Sequence, residues 1–255
     1  MSVLACRGLT VNIGGRDVVR NMDFTLSAGE RLAILGRNGA GKTTLLHTLA
    51  GVRAPAAGVI SICGTALAEQ SAPQLARQRG LLLQQQNDAF PASVLETALV
   101  GRHPWLDRWS WESATDARLA RPALAAVSLD GLEQRDVHTL SGGERQRLAI
   151  ATLLTQAPQL ALLDEPLAHL DLNHQVAVLN LLSRQAREAG LAVVMVLHDI
   201  NLALRHADRA LLLFGDGGIE EGPVAEVMRS DTLSRLYGHP LREIADGEQR
   251  YFVPG

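Results

Sequence analysis

The sequence predicts an α/β fold in which short buried strands end, at one edge, in polar residues. Three observations predict it. Four apolar runs, Arg31–Leu35, Leu81–Leu83, Leu160–Leu163 and Leu191–Leu197, have the length and composition of buried strands. Each run delivers a residue with chemistry at its carboxyl end: Gly36, Gln84, Asp164 and His198 respectively. Open α/β sheets hold their ligands at the carboxyl ends of parallel strands. The stretch from Arg31 to Leu49 passes from such a strand, through a glycine-rich loop, into apolar spacing suited to a helix.

That loop, Gly36-Arg37-Asn38-Gly39-Ala40-Gly41-Lys42-Thr43, fits G-x-x-x-x-G-K-[ST] at every specified position and continues into Thr44. Glycines let backbone amides turn inward on phosphates, and the helix start adds the positive end of its dipole. Asn38, Gly39, Ala40, Gly41, Lys42, Thr43 and Thr44 are therefore the candidate cradle of a nucleoside triphosphate. Lys42 would reach the β- and γ-phosphates, and the Thr43 hydroxyl would hold Mg²⁺.

Ahead of the cradle, Val3–Cys6, Leu9–Val11 and Asp23–Leu26 are β-prone, with a hairpin-like turn at Gly14–Asp17. Gly58–Ile62 reads as a further strand of the same sheet. Residues 69–79 suit a helix with Pro73 in its first turn. Gln84, with Gln85 and Gln86, is either a polar loop or a glutamine that senses metal and water.

From Asp88 to about Arg135 the texture becomes alanine- and leucine-rich, with helical spacing over Ser93–Val100 and Ser113–Val127. This reads as a helical insertion between strands. All three tryptophans, Trp105, Trp109 and Trp111, fall inside it. They form either a small satellite core or a docking surface, since Trp and Arg are enriched at interface centres.

Leu140-Ser141-Gly142-Gly143-Glu144 precedes an apolar helical pattern. Ser141 and Glu144 make a capping box. Gly142 and Gly143 cost helix stability unless backbone must approach something closely. Together they make a second anion-binding device at a helix start. At the tip of the third apolar run, Asp164 is expensive to bury unless it meets a cation, and Mg²⁺ on the cradle is the available one. Glu165, one residue on, is placed to polarise an attacking water, and His198 to contact a γ-phosphate. Beyond it, Asn201–Ala207 reads as helix and Ala210–Phe214 as strand. The tail from Glu220 is mixed and turn-rich.

Composition bounds the rest. The chain has 255 residues, 47% hydrophobic and 20% charged, which fits a globular protein. A net charge of −3 argues against a surface made for nucleic acid. Cys6 and Cys63 lie far apart, form no metal-binding spacing and fit a reducing, cytosolic setting. No early run reads as a signal peptide, and no window reaches the length of a membrane span. Work at a membrane would need a partner that supplies the span. No repeat or linker divides the chain, so a single domain is expected.

The set Gly36–Thr43, Gln84, Leu140–Glu144, Leu160–Glu165 and His198 resembles the ATP-binding cassette (ABC) ATPase family over nearly the whole chain. The resemblance implies a P-loop NTPase (RecA-like) core with an antiparallel β subdomain, residues 1–87 and 151–255, and an inserted α-helical subdomain, residues 88–150. It implies ATP and Mg²⁺ as cofactors, with Thr43, Gln84 and Asp164 around the metal. Glu165, His198 and Gln84 become catalytic residues, Ser141–Glu144 the signature motif, and Ala168–Asp171 the segment that follows the catalytic glutamate.

Gly101–Trp105, Asp164–Asp171 and His198–Ala203 are similar to ATPases of bacterial metal-chelate importers, which move haem, ferric siderophores or cobalamin. Phe90–Val94 is similar to the haem members. The resemblance implies a peripheral protein on the cytoplasmic face of the inner membrane. Its partners would be a second ATPase subunit, transmembrane permease subunits and, indirectly, a substrate-binding protein. A soluble relative acting on DNA or ribosomes would bring a second cassette, a long coiled-coil insertion or a basic extension, none of which the sequence carries. Ile13 departs from the family, which normally has an aromatic residue there to stack on adenine. Two phosphate-binding devices beside one metal site also predict dimerisation, because two chains paired head to tail about a two-fold axis close two sites.

Overall fold

The structure is a computed structural model and describes residues 2–84, 91–107, 111–247 and 249–255. Gln85, Gln86, Phe90 and Trp109, named above, lie outside the described residues. The chain begins with a hairpin of β1 (Ser2–Ile13) and β2 (Arg16–Ser27). Gly14 and Gly15 turn it at φ 56° and 82°, a region glycine enters without a Cβ penalty. Met22, Phe24 and Leu26 alternate with exposed residues along β2 and so fill one face. After β3 (Arg31–Gly36) and α1 (Lys42–Leu49), β4 (Ala57–Ile62) returns to pair with β1, and β5 (Thr65–Ala66) pairs with β4. The result is the antiparallel layer β2-β1-β4-β5.

A second sheet forms the centre. Its strands are β3, β6 (Arg79–Leu82), β7 (Leu160–Asp164), β8 (Ala192–Val196), β9 (Arg209–Leu213) and β10 (Ile219–Pro223). They run in the order β10-β9-β3-β8-β7-β6, parallel except for the edge strand β10. β7 and β8 are buried at every position, as expected of parallel strands covered on both faces. Alternate residues of β3 enter opposite cores. Leu32 and Ile34 pack toward the antiparallel layer and α1, while Ala33 and Leu35 pack toward the helices. The strand expected over Leu81–Leu83 instead starts at Arg79 and stops at Leu82. At the sheet edge it pairs with β7, and Leu83 beyond it is 41% exposed.

Helices α2 (Ala72–Gln78), α3 (Val94–Leu99), α4 (Ala114–Ala126) and α5 (Gly142–Gln156) follow the expected pattern. Ser71, Ser93, Ser113 and Ser141 each begin one of them with a capping box, which satisfies donors the first turn leaves unpaired. α5 runs unbroken through residue 150, the expected end of the helical subdomain, and carries the inserted helices back to β7.

The two described tryptophans build no common core. Trp105 donates its indole N–H to Gln156 O at 2.8 Å and lies between the guanidinium groups of Arg77 and Arg102 at 5.6 and 5.4 Å. Trp111 is 88% exposed.

The remaining helices are α6 (Leu172–Ala189), α7 (Ile200–His206), α8 (Val224–Val227) and α9 (Ser230–Tyr237). A closing hairpin of β11 (Leu241–Asp246) and β12 (Gln249–Pro254) ends the chain. The tail from Glu220, which read as turn-rich, is thus largely regular structure. α6 is not among the elements expected from sequence either, although Asp171 caps its start and Gly190 ends it at φ 70°.

Candidate functional site

β3, flanked on both sides by parallel strands, aims its carboxyl end into the loop Gly36–Gly41. A side chain at Gly36 would place its Cβ 2.7 Å from Leu213 O, and one at Gly41 would meet Val18 Cγ1 at 2.5 Å. Gly41 also sits at φ 100° at the start of α1. The loop is therefore wedged between β9 at Gly36 and β2 at Gly41, with no room for a larger residue at either position. Arg16, next to the hairpin turn, donates to Gly39 O at 2.7 Å and fixes the loop's outer side. The resulting cavity, about 350 Å³, is lined by Ile13, Asn38, Gly39, Gly41, Lys42, Thr43, Thr44 and Glu165. Ala40 is buried beneath it.

Lys42 is only 6% exposed and folds onto the loop, donating to Gly36 O at 2.9 Å and Arg37 O at 3.2 Å. Burial lowers its pKa, and Glu165 and Asp164 oppose that shift. Both bonds are to backbone carbonyls, so the ammonium can exchange them for phosphate oxygens without leaving its pocket. The Thr43 hydroxyl donates to Asp164 Oδ1 at 3.2 Å. Asp164 is fully buried, and burial raises its pKa. Among the described residues its Oδ2 has no hydrogen-bond partner, and His47 Nε2, 4.0 Å away, has none either.

An unpartnered buried carboxylate oxygen beside a hydroxyl is a hard-oxygen donor set that suits Mg²⁺. Among the described residues no group of three or more His, Cys, Asp or Glu gathers to hold a metal. A cation between Thr43 and Asp164 would take its other oxygens from phosphate and water, as Mg²⁺ does beside triphosphates.

Glu165 follows at φ 50°, a left-handed conformation that costs a residue with a Cβ roughly 1–2 kcal/mol. Held that way, its Oε1 meets His198 Nε2 at 2.8 Å. Gln146 on α5 supports the same turn by donating to Pro166 O at 3.0 Å. The cradle, Thr43, Asp164, Glu165 and His198 thus converge on one edge of the sheet.

Gln84 and Ser141–Glu144 do not join them. Gln84 lies two residues beyond β6 and is exposed, with no side-chain hydrogen bond to the cradle among the described residues. Ser141 caps α5, its Oγ accepting from Glu144 N at 3.2 Å, and the Glu144 carboxylate in turn accepts from Ser141 N at 2.7 Å. These bonds, with Arg135 nearby, keep the Glu144 pKa low. Ser141, Gly142, Gly143 and Glu144 line no part of the cavity on the cradle. A Cβ on Gly143 would stand 3.0 Å from His169 O, so close packing on the segment after Glu165 already calls for glycine there.

Three contributors escape a motif reading of the sequence. His47 stands four residues after Thr43 on α1, a spacing that puts both on one helix face and could have revealed it. Arg16 and Gln146 carry no such signal, because each acts from a distant part of the chain.

A family model described as ABC transporter matches residues 19–168. The hemin import ATP-binding protein HmuV of Streptomyces coelicolor is 44% identical over 239 residues, covering 93% of this chain and 84% of its own length. The achromobactin transport ATP-binding protein CbrD of Dickeya dadantii is 34% identical over 249 residues, 96% of this chain and 91% of its own. A solved inward-facing structure assigned to the metal-chelate type of ABC transporter superposes with a TM-score of 0.86 at 30% identity, covering 100% of this chain and 98% of that one. A dimeric ATP-binding cassette in a post-hydrolysis state, bound to ADP and Pi, gives 0.74 at 26% identity, covering 87% and 98%.

Proposed function

This chain belongs to the ABC transporter family, and from that premise we propose that it is the ATP-hydrolysing subunit of a bacterial importer for an iron or cobalt chelate, with haem as the cargo. The observation that carries the reading is the convergence of Lys42, Thr43, Asp164, Glu165 and His198 on one cradle, in a chain 44% identical to a hemin import ATPase.

The amides of Asn38–Thr44 and Lys42 bind the triphosphate of ATP. Thr43 and Asp164 would hold Mg²⁺, with Gln84 reaching it when the site closes. The ion's chemistry would be to neutralise charge on the phosphates. Glu165 accepts a hydrogen bond from the attacking water and orients it, and His198 steadies the Glu165 carboxylate and faces the γ-phosphate.

Ser141, Gly142, Gly143 and Glu144 of a second copy cover the nucleotide from the other side, so the working unit is a homodimer with two shared sites. The helices of residues 88–150 form the separate subdomain that faces the permease. None of the described helices is long and apolar enough to cross a membrane. In this reading the dimer works on the cytoplasmic face of the inner membrane, beneath permease subunits loaded by a substrate-binding protein. Nucleic acid has no place in it.

The siderophore relative supports a second cargo reading. A cell that carries the matching permease and depends on imported iron separates the two. Growth on haem should require this chain and be lost with Glu165→Gln. Growth on a ferric siderophore but not on haem would move the assignment to the second cargo.

A further inference from the structure

The C-terminal segment reaches the proposed site from behind. Two residues separate His198, just beyond the end of β8, from Asn201 in the first turn of α7. Asp199 caps that helix, its Oδ1 accepting from Asn201 N at 2.7 Å and Leu202 N at 2.9 Å. The Asn201 side chain then makes two bonds to one residue of β12. Its Nδ2 donates to Phe252 O at 3.1 Å, and Phe252 N donates to its Oδ1 at 2.8 Å.

This is the bond pair a neighbouring strand would make, supplied by an amide side chain. It satisfies two backbone groups of β12 and both ends of a half-buried amide. Phe252 is itself anchored, 4% exposed in the main core. On α9, burial first and the Asp199 charge second push the Tyr237 phenol up to about 12. Gly238, which ends α9, lies against Arg37 of the phosphate loop. The tail therefore bonds to α7, the helix that follows His198, through Phe252 and approaches Arg37 of the loop at Gly238.

We propose that Asn201 is a positioning residue for His198, and that the β11–β12 hairpin acts through it to set the reach of that histidine toward Glu165 and the nucleotide. The inference rests on the proposed role of His198. The turn Leu197–Asp199 is short, and its only side-chain cap, Asp199, belongs to the same helix that Asn201 ties down. Rotation of α7 would then carry His198 away from Glu165, to which it is now bonded at 2.8 Å. Misplacement of a reacting group by about 1 Å can cost on the order of a hundredfold in rate, so even a smaller shift is measurable.

The test is a double-mutant cycle on ATP hydrolysis by the full chain, using Asn201→Ala and His198→Ala singly and together. In the wild-type background Asn201→Ala should lower kcat about tenfold, with KM for ATP within about twofold. In the His198→Ala background it should lower residual turnover no further. Equal losses in both backgrounds, or an unchanged kcat in the single variant, would overturn the proposal. If His198→Ala alone leaves hydrolysis unchanged, the role of His198 fails, and with it this inference. That result is distinct from failure of Asn201 alone. Should Asn201→Ala not fold, Asn201→Asp carries the same cycle, because it keeps the acceptor for Phe252 N and loses the donor to Phe252 O.

Discussion

Asp164 states the problem that the site solves at the scale of one residue. It is fully buried, one oxygen rests on Thr43, and the other has no hydrogen-bond partner among the described residues. Such an orphaned group costs roughly 1–3 kcal/mol in a folded protein. A cation in the cradle removes that cost, which is why an acid at the tip of an apolar strand could be read from sequence as metal-directed. The cradle was legible for the same reason, since consecutive residues both form the loop and do its work. Arg16, His47 and Gln146 were not, because their roles depend on contacts between distant segments.

Ile13 shows the other limit. It is 37% exposed and is the one large apolar side chain among the described residues that line the cavity. An aliphatic side chain gives a base less than the roughly 1–3 kcal/mol that an aromatic ring supplies in stacking platforms. Binding free energy should then come from the triphosphate, with weak discrimination between ATP and GTP. Ile13→Tyr should tighten ATP binding by up to about tenfold, or ~1.4 kcal/mol. Paired titrations with ATP, GTP and bare triphosphate check this. Strong preference for ATP in the wild type, or no gain in the variant, would show that another residue reads the base.

Among the elements, those with a sharp start were readable and those without were not. Pro73 marked α2, helical spacing marked α3 and α4, and the Ser141–Glu144 capping box marked α5, while period-two or fully apolar runs marked the strands. β11 is exposed at five of its six positions and therefore carries no alternation to read. α6 has an amphipathic pattern and a capping aspartate, but its start coincides with Asp171, the end of the segment that follows the catalytic glutamate in the family.

The inserted helices are held in place by specific polar contacts as well as by packing. Arg102 donates to Asp116 Oδ1 at 3.0 Å, and Asp116 Oδ2 accepts from Ser113 Oγ at 2.7 Å. The Ser113 bonds first, then Arg102, hold the Asp116 pKa at about 2 against an ordinary 3.8. A carboxyl whose pKa is lower in the folded than in the unfolded state adds stability that is complete above the unfolded value. That stability is lost as pH falls toward the folded value. Asp116→Asn should therefore destabilise the chain near neutral pH, and the gap to wild type should close as pH falls from about 4 to about 2. Denaturant midpoints across that range are the measurement. A gap that stays constant would assign the effect to packing.

At the scale of the whole molecule, the glycine-rich loop and Ser141–Glu144 open two separate helices, α1 and α5, and Asp164 stands with the loop. The cavity on the cradle includes none of Ser141–Glu144. A second copy can bring its own α5 to that cavity, and the similar dimeric cassette bound to ADP and Pi has the stoichiometry this requires. Ser141→Arg should then leave nucleotide binding to the isolated chain nearly intact while ATP turnover collapses. Equal loss of both, together with a lower melting temperature, would reduce Ser141 to the cap that its bond to Glu144 N already makes it.

The central claim, that Glu165 orients the attacking water in a site closed by two chains, is tested most directly by Glu165→Gln with ATP and Mg²⁺. The amide keeps the shape of the carboxylate and removes its capacity as a base. Size-exclusion chromatography and phosphate release are read on the same sample. The account predicts turnover reduced by orders of magnitude and accumulation of an ATP-held dimer. Near-wild-type phosphate release from a chain that stays monomeric would contradict it.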